Sequence, residues 1–146
     1  MCWGACEKNT IQEQPSAIRS YYEALAKGKL LAVTCKACGK HTFPPTGCCE
    51  HCGSWDVEEA DLSGETTLLF ATHNLTPACH PRFESMAPYV YGHLKLKEGP
   101  IFQAIILGIE PKPAALRELF ERGPVPAKAE TLQTDDLPVL AFRIAG

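Results

Sequence analysis

Two short motifs decide the fold of this chain: Cys35-Lys36-Ala37-Cys38-Gly39 and Cys49-Glu50-His51-Cys52-Gly53. In each motif a tight turn points two cysteine sulfur atoms at one centre, and the glycine that follows tolerates the positive φ with which the chain leaves the turn. Two such turns that face each other make a closed tetrahedral cage of four thiolates, which suits Zn²⁺ with Zn–S distances of about 2.3 Å and no open position. The sequence therefore predicts one structural Zn²⁺, bound by Cys35, Cys38, Cys49 and Cys52.

The other cysteines and the metal itself leave alternatives. Four sulfur ligands do not by themselves distinguish zinc from iron, so an iron centre for electron transfer is one alternative. Cys48 precedes Cys49 and is a competing ligand, although the spacing of the motif and the trailing Gly53 favour Cys49. We expect Cys2 and Cys6, close to the N-terminus, to be free thiols rather than half of a second metal site.

Length, charge and cysteine content restrict the function. The chain has 146 residues, a net charge of −3 and a pI of about 5.9, which disfavours nucleic acid as a partner because a polyanion requires a basic surface. No run of residues approaches the roughly 20 apolar positions of a membrane-spanning helix. The N-terminus lacks the basic and apolar segments of a secretion signal. Since eight cysteines without an export signal indicate bound metal and free thiols, we expect a cytoplasmic protein with no membrane partner.

An N-terminal helix is predicted to follow Pro15-Ser16. Tyr21, Tyr22 and Leu25 recur at helical spacing, and Gly28 is a stop signal. A helix of about three turns is marginal in isolation, so its apolar face must pack against the body of the protein or against another chain.

The two cysteine motifs lie in a small ribbon. The run Leu30-Leu31-Ala32-Val33-Thr34 is typical of a strand that enters the first turn, and Lys40-His41-Thr42-Phe43 of the strand that returns from it. Pro44-Pro45 ends the second strand, and we expect Trp55 to cover the metal side. A unit this small buries little apolar surface, so metal binding supplies much of its folding free energy.

The C-terminal part is rich in predicted strands. Residues 89–97 alternate between apolar and polar side chains, and Glu98-Gly99-Pro100 turns the chain into an apolar run at 101–109. Five strands with one short helix, at 113–122, between the third and the fourth match a small barrel of the OB type. The chain is thus predicted to be mainly β, with three parts: an N-terminal segment with a helix (1–29), a zinc ribbon (30–58) and a five-stranded OB-fold barrel (59–146).

Several motifs follow each other in a familiar order. The ribbon contributes the most specific ones, and the barrel contributes weaker ones: Tyr21-Tyr22-Glu23-Ala24-Leu25, Gly28-Lys29-Leu30, the two cysteine motifs, Phe43-Pro44-Pro45, Ser63-Gly64-Glu65, Ala87-Pro88-Tyr89-Val90, Glu98-Gly99-Pro100 and Gly123-Pro124-Val125. Together they resemble the DUF35 family, which joins a rubredoxin-like zinc ribbon to an OB-fold. The resemblance covers almost everything from about residue 16 onward.

The resemblance implies a function as well as a fold. Members of the family are accessory subunits that assemble with thiolase-fold or related acyl-CoA enzymes, bridge subunits and help bind the coenzyme A thioester. It therefore implies a thiolase-fold catalytic subunit as the partner, with the bond-forming or bond-breaking chemistry outside this chain. The alternatives are a nucleic-acid-binding zinc ribbon and OB module, or an iron-S4 electron-transfer protein.

Four residues are candidates for binding the acyl-CoA implied by this resemblance. Lys36, Lys40 and Arg82 could meet its phosphates through charge. Phe83, next to Arg82 in the long loop at 74–88, could meet the pantetheine arm.

The helix and the long loop carry the remaining candidates. The apolar side chains of Tyr21, Tyr22 and Leu25 are predicted to form a partner interface. Cys79-His80, with His73 nearby in sequence, offers a thiol beside an imidazole, as acyl transfer would need. Adjacent residues on a loop point in different directions and no third orienting group is evident, so we predict no catalytic residue in this chain.

Overall fold

The computed structural model describes residues 17–74 and 81–145, with the side chains of the second segment described from residue 83. Ser16, Cys2, Cys6, Cys79 and His80 lie outside these residues, as does the side chain of Arg82. The elements of the described part are α1 (Ala17–Ala26), β1 (Leu30–Cys35), β2 (His41–Thr42), β3 (Val57–Leu62), β4 (Glu65–His73), a 3-10 helix (Pro81–Met86), β5 (Val90–Leu96), β6 (Ile101–Leu107), α2 (Pro113–Glu121), β7 (Val125–Leu132) and β8 (Val139–Ile144).

Helix α1 is held against the rest of the chain at its C-terminal end. Gly28 has a φ of 75°, and it ends the helix because a left-handed residue is favourable only without a Cβ. The hydroxyl of Thr131 in β7 donates a hydrogen bond of 3.1 Å to the carbonyl of Leu25. The helix therefore packs against the body of its own protein, which is one of the two possibilities that its sequence left open.

The ribbon is a three-stranded antiparallel sheet in the order β2-β1-β3. β1 pairs with β2 through Val33 and Thr42, and with β3 along its whole length, from Leu30 opposite Leu62 onward. The sequence did not predict β3. This strand spans the predicted boundary between residues 58 and 59, so a cut at that boundary would divide a strand of the ribbon sheet.

The remaining strands form a closed barrel in the order β4-β5-β6-β8-β7. All neighbours are antiparallel except β6 and β8, which run parallel. This is the arrangement of a five-stranded OB barrel, with α2 between its third and fourth strands. Val90, Leu94 and Leu96 face the core, as their alternation predicts. The predicted fold class is confirmed.

A bulge shapes the barrel wall between β4 and β5. Leu68 pairs with Leu94 and Phe70 pairs with His93, so Leu69 is the additional residue in β4. The bulge brings the Phe70 carbonyl oxygen over Gly92, where an added Cβ would lie only 2.1 Å from it. Glycine is therefore required at this position of β5.

A row of aromatic rings joins helix, ribbon and barrel. Ring centroids are 5.9 Å apart for Tyr21 and Phe43, 4.9 Å for Phe43 and Phe102, and 5.2 Å for Phe102 and Phe142, all in edge-to-face geometry. Phe43 belongs to the ribbon and Phe142 to the centre of the barrel, so the two units share one hydrophobic core.

The connection between ribbon and barrel is short and tightly bonded. Only Ser63 and Gly64 separate β3 from β4. The Ser63 amide donates to the Glu98 carboxylate at 2.8 Å, and the Gly64 carbonyl accepts from the Ala129 amide at 2.9 Å. The second carboxylate oxygen of Glu98 is buried and has no hydrogen-bond partner within the described residues. The barrel thus fixes this linker from two sides.

Candidate metal centre and aromatic groove

The four predicted cysteines meet at one point of the ribbon. The Sγ atoms of Cys35, Cys38, Cys49 and Cys52 all lie within 4.8 Å of one another. The Sγ–Sγ distance is 3.6 Å both for Cys35 with Cys52 and for Cys38 with Cys49, so each cross-contact joins one motif to the other. Four sulfur donors at such distances fit a tetrahedral zinc or iron ion.

The two cysteine turns have the same backbone geometry. The Gly39 amide donates to the Cys35 carbonyl at 2.8 Å, and the Gly53 amide donates to the Cys49 carbonyl at 2.9 Å. Both glycines have a positive φ, 73° and 74°, which agrees with the reason for expecting glycine there. The backbone geometry of the two turns alone therefore directs the four sulfur atoms toward one centre.

The electrostatics of the cluster also favour a cation. Burial acts to raise the pKa of the Cys49 thiol, but the backbone N–H groups of Cys52 and His51 more than offset it, and the pKa falls to about 6. For Cys52, the Ser54 amide acts to lower the pKa, but the nearby sulfur of Cys35 and burial outweigh it and raise the pKa to about 12. Four thiolates cannot ionise together at this spacing without a cation, and a divalent metal removes this repulsion.

The structure distinguishes Cys49 from its neighbour Cys48. The Cys49 side chain is 2% exposed and belongs to the cluster, whereas Cys48 is half-buried outside it. Two histidines support the ribbon instead of entering the cluster. His41 Nδ1 lies 2.9 Å from the Thr34 hydroxyl, and His51 Nε2 lies 3.1 Å from the His41 carbonyl oxygen.

Trp55 does not cover the metal, and that expectation was wrong. Its side chain is 80% exposed. One edge of its ring lies over Gly47, where an added Cβ would be 3.7 Å from Trp55 Cζ3. The apolar cover of the ribbon comes instead from Phe43, which is buried between the ribbon and the barrel.

The candidates for acyl-CoA binding lie on different elements. Lys36 is on the first cysteine turn, with its ammonium nitrogen 3.6 Å from the Asp56 carboxylate and 3.7 Å from that of Glu58. Lys40 is exposed at the end of the same turn. Phe83 lies on the 3-10 helix, half-buried, with its ring centroid 6.4 Å from that of Tyr89. Their role in binding acyl-CoA remains a prediction.

The predicted interface residues of α1 are largely used within the chain. Leu25 is 2% exposed, so a partner cannot reach it, and the prediction for this residue is corrected: the residue packs in the core of its own chain. Tyr21 is half-buried against Phe43, and burial with a smaller contribution from Tyr22 raises its pKa to about 12. Tyr22 is half-buried with its ring centroid 5.1 Å from that of Tyr21, and its role as a contact stays a prediction.

The sequence did not reveal a groove beside this aromatic row. We use "aromatic groove" for two adjoining cavities of about 530 Å³ and 220 Å³ that share five lining residues: Phe83, Gln103, Ala104, Val139 and Leu140. Tyr89 and Tyr91 line the larger cavity, and Tyr21, Tyr22 and Phe43 line the smaller one. The signal was present in part, because the alternation of residues 89–97 places Tyr89 and Tyr91 on the outer face of the barrel.

Comparisons with known proteins place this geometry in a family. Residues 23–58 match the family described as ChsH2, rubredoxin-like zinc ribbon domain. The chain is 30% identical over 96 residues to a "DUF35 domain-containing scaffold protein" of Methanocaldococcus jannaschii, a match that spans 65% of this chain and 67% of that protein. The chain belongs to the DUF35 family. The predicted resemblance is therefore confirmed.

Two further similarities are to proteins that are named as enzymes. The chain is 32% identical over 112 residues to the "Probable enoyl-CoA hydratase alpha subunit" of Thermomonospora curvata, covering 68% of this DUF35 protein but only 34% of that relative. It thus spans about a third of the length of that relative. A solved structure described as "Ltp2-ChsH2(DUF35) aldolase" aligns with a TM-score of 0.69 at 29% identity, over 88% of this chain and 94% of that one.

The helices give no sign of a membrane span. Within residues 17–74 and 81–145, none combines the length and the apolar character that crossing a bilayer requires.

Proposed function

We propose that this DUF35 protein is a non-catalytic accessory subunit of a thiolase-type acyl-CoA enzyme complex. It joins subunits and helps bind the acyl-CoA. The observation that carries the proposal is family membership through a relative named a scaffold protein. The enoyl-CoA hydratase subunit and the Ltp2-ChsH2 aldolase support it, because this chain is similar to parts of both, both are named as enzymes, and the second name includes DUF35.

The proposed metal is one structural Zn²⁺ held by Cys35, Cys38, Cys49 and Cys52. The donor set fits it, since four thiolates fill a tetrahedral shell and leave no position for substrate. Bound zinc would supply folding free energy to the ribbon and no step of a reaction. An iron centre is the alternative, and metal analysis with a visible absorption spectrum separates the two, because iron-S4 sites are coloured and zinc sites are not.

Exposed apolar side chains outside the core support a protein partner. Trp55 lies on the ribbon, and Leu69, Phe70 and Ile101 lie on the outer face of the barrel; all four rank among the exposed large apolar residues. Phe70 stands beside His93, with ring centroids 6.0 Å apart. Apolar and aromatic groups exposed in this way are typical of surfaces that bind another protein.

Co-expression with a thiolase-fold subunit encoded beside this chain tests the proposal. We expect one stable complex in sedimentation velocity, and acyl-transfer or carbon–carbon lyase activity in the complex but not in the chain alone. Trp55→Ala, at a side chain 80% exposed, should weaken the complex, whereas Phe120→Ala, at an aromatic of α2 only 36% exposed, is the control. A chain that stays apart from every such thiolase and binds single-stranded DNA at physiological salt would contradict the proposal and favour the nucleic-acid alternative.

A further inference from the structure

The aromatic groove exists because two strands of the barrel separate. β6 and β8 pair only from Ile105 opposite Ala141 to Leu107 opposite Arg143. Before this point, Val139 and Leu140 pair only with β7, on their other side, and the preceding residues of β6 pair only with β5, on theirs. A slot therefore opens in the barrel wall, and α1 and the ribbon flank it through Tyr22 and Phe43.

The lining of the groove, as far as the structure describes it, is uncharged. Among residues that the structure describes, none that lines either of its two cavities is Asp, Glu, Lys or Arg. Burial, with Tyr22 adding to it, raises the pKa of Tyr21 to about 12, so this phenol also stays neutral. The polar atoms offered are the amides of Asn74 and Gln103 and the tyrosine hydroxyls.

Two other cavities of the barrel provide a contrast. The cavity beneath α2, of about 430 Å³, is lined in part by Glu110, Glu118 and Arg122. A second, also of about 430 Å³, is lined in part by Glu65, Lys97 and Lys128. Charged groups of both signs border these sites, so they suit water and ions. The described lining of the aromatic groove differs in chemistry and favours a neutral, largely apolar group.

We infer that the aromatic groove holds the acyl group of the thioester and selects for apolar acyl groups of medium length. This inference rests on the proposed function, which supplies the thioester. The phosphates of coenzyme A would stay outside, because the described lining offers them no cation. The larger cavity, at about 530 Å³, falls in the range of roughly 300–1,000 Å³ that ligand pockets occupy, and an acetyl group would leave most of it empty.

Titration calorimetry of the full metal-loaded chain with coenzyme A, acetyl-CoA, butyryl-CoA and octanoyl-CoA tests chain-length selection. Each methylene that becomes buried should tighten binding about fourfold. We therefore expect octanoyl-CoA to bind at least about tenfold more tightly than butyryl-CoA, and coenzyme A itself to bind most weakly. Equal affinity across the series, or no binding of octanoyl-CoA at millimolar concentration, would overturn the inference.

A pair of variants on one strand tests the location. Gln103 and Ile101 are both exposed, lie two residues apart on the outer face of β6, and differ in that only Gln103 lines the groove. Gln103→Trp should fill the groove and weaken octanoyl-CoA binding at least about tenfold without changing the affinity for coenzyme A. Ile101→Trp should leave both affinities unchanged. Equal effects of the two variants, or none from Gln103→Trp, would place the acyl group elsewhere.

These measurements are independent of the partner. Loss of chain-length selection with an intact thiolase complex would reject the groove and leave the proposed function standing. Selection that persists in a chain that forms no such complex would reject the thiolase partner and leave the groove as a binding site. Metal content, measured for each variant, verifies that the ribbon is folded.

Discussion

The ribbon and the barrel join residues far apart in the sequence through different chemistry. In the ribbon, Cys35 and Cys52 approach to 3.6 Å, with two of the four cysteines of the cluster exposed. In the barrel, the closing contact is the pairing of β4 with β7 around a core centred on Phe142, which has no exposed surface. The ribbon thus brings together four sulfur donors that suit a cation, whereas the order of the barrel depends on apolar burial.

The difference shows how one short chain combines two sources of stability. The ribbon encloses little apolar surface of its own and packs one side into the core that it shares with the barrel. At its cysteine end, a bound metal would supply further folding free energy. Phe43 connects the two, since it belongs to the ribbon but is buried against the barrel residue Phe102. Four changes to the chain test this difference.

The largest effect is expected from removing one ligand. Cys49→Ser should reduce bound metal from about one equivalent to nearly none, because metal binding contributes on the order of 10–16 kcal/mol to the folding of such sites. Hydrogen exchange should show the ribbon opened and the barrel strands β5 and β6 still protected. Cys48→Ser is the control and should keep its metal. Full retention of metal by Cys49→Ser would mean that Cys48 can replace it, and loss of protection in both units would mean that they fold as one.

A smaller effect is expected in the barrel wall. Gly92→Ala places a Cβ 2.1 Å from the Phe70 carbonyl oxygen, so backbone must move, and we expect a loss of about 3 kcal/mol in the free energy of unfolding. Gly47→Ala, in the ribbon, brings a Cβ only to 3.7 Å from Trp55 and should change the free energy of unfolding by less than about 0.5 kcal/mol. Urea unfolding of both variants measures these two changes in the free energy of unfolding. Equal losses would contradict the assignment of the bulge as the constraint.

A still smaller effect is expected where the two units join. Burial acts to raise the pKa of Glu98, but hydrogen bonds from Ser63 more than offset it and hold the pKa below its usual value. A lowered pKa in the folded state means that this stabilisation is present above the unfolded pKa of about 4.3 and is lost as the pH falls through the folded pKa. Glu98→Gln should cost about 1 kcal/mol at neutral pH, allowing for solvent screening.

The pH dependence provides the check on this junction. Chemical unfolding at pH 7 and at pH 3 should show the stability difference between wild type and Glu98→Gln shrinking as the carboxylate becomes protonated. The isosteric amide keeps the shape of the side chain, so packing is matched. A difference that stays constant with pH would mean that the charge of Glu98 does not contribute.

The smallest effect on stability is expected at Trp55. Because this side chain is 80% exposed, Trp55→Ala should change the free energy of unfolding of the free chain by less than about 0.5 kcal/mol. Phe142→Ala, at the barrel centre, should cost about 3–5 kcal/mol. Thermal unfolding of the two variants compares their losses of stability. A large loss for Trp55→Ala would show that the ring covers the ribbon after all.

Much of this architecture could be predicted because it depends on local patterns in the sequence. The cysteine spacing, the trailing glycines and the alternation at Val90, Leu94 and Leu96 each depend on neighbours within a few residues. The barrel could then be predicted from the order of its strands and of α2, as an OB-type connection pattern. The four-cysteine cluster also follows from the sequence, since the CxxC spacing itself selects Cys49 over Cys48.

The parts that could not be predicted depend on contacts between distant residues. β3 has no clear apolar alternation, because it carries the adjacent acidic residues Glu58 and Glu59, and then Asp61, all on exposed positions. Whether Trp55 or Phe43 would cover the ribbon depended on where the barrel lies. Leu25 was assigned to a partner interface for the same reason, since nothing local shows that the rest of the chain already buries it.

The two-residue linker has a consequence for assembly. Ser63 and Gly64 form hydrogen bonds with Glu98 and Ala129. The linker therefore holds the ribbon in one orientation relative to the barrel. A partner that binds the ribbon therefore meets the barrel in one fixed orientation. Its second contact, with the barrel, then forms at a high effective concentration, which depends on this fixed geometry and not on the length of a flexible linker. Lengthening this linker with Gly-Ser repeats should therefore weaken the binding of a partner that contacts both ribbon and barrel, without altering either contact. The length of this linker would thus control avidity.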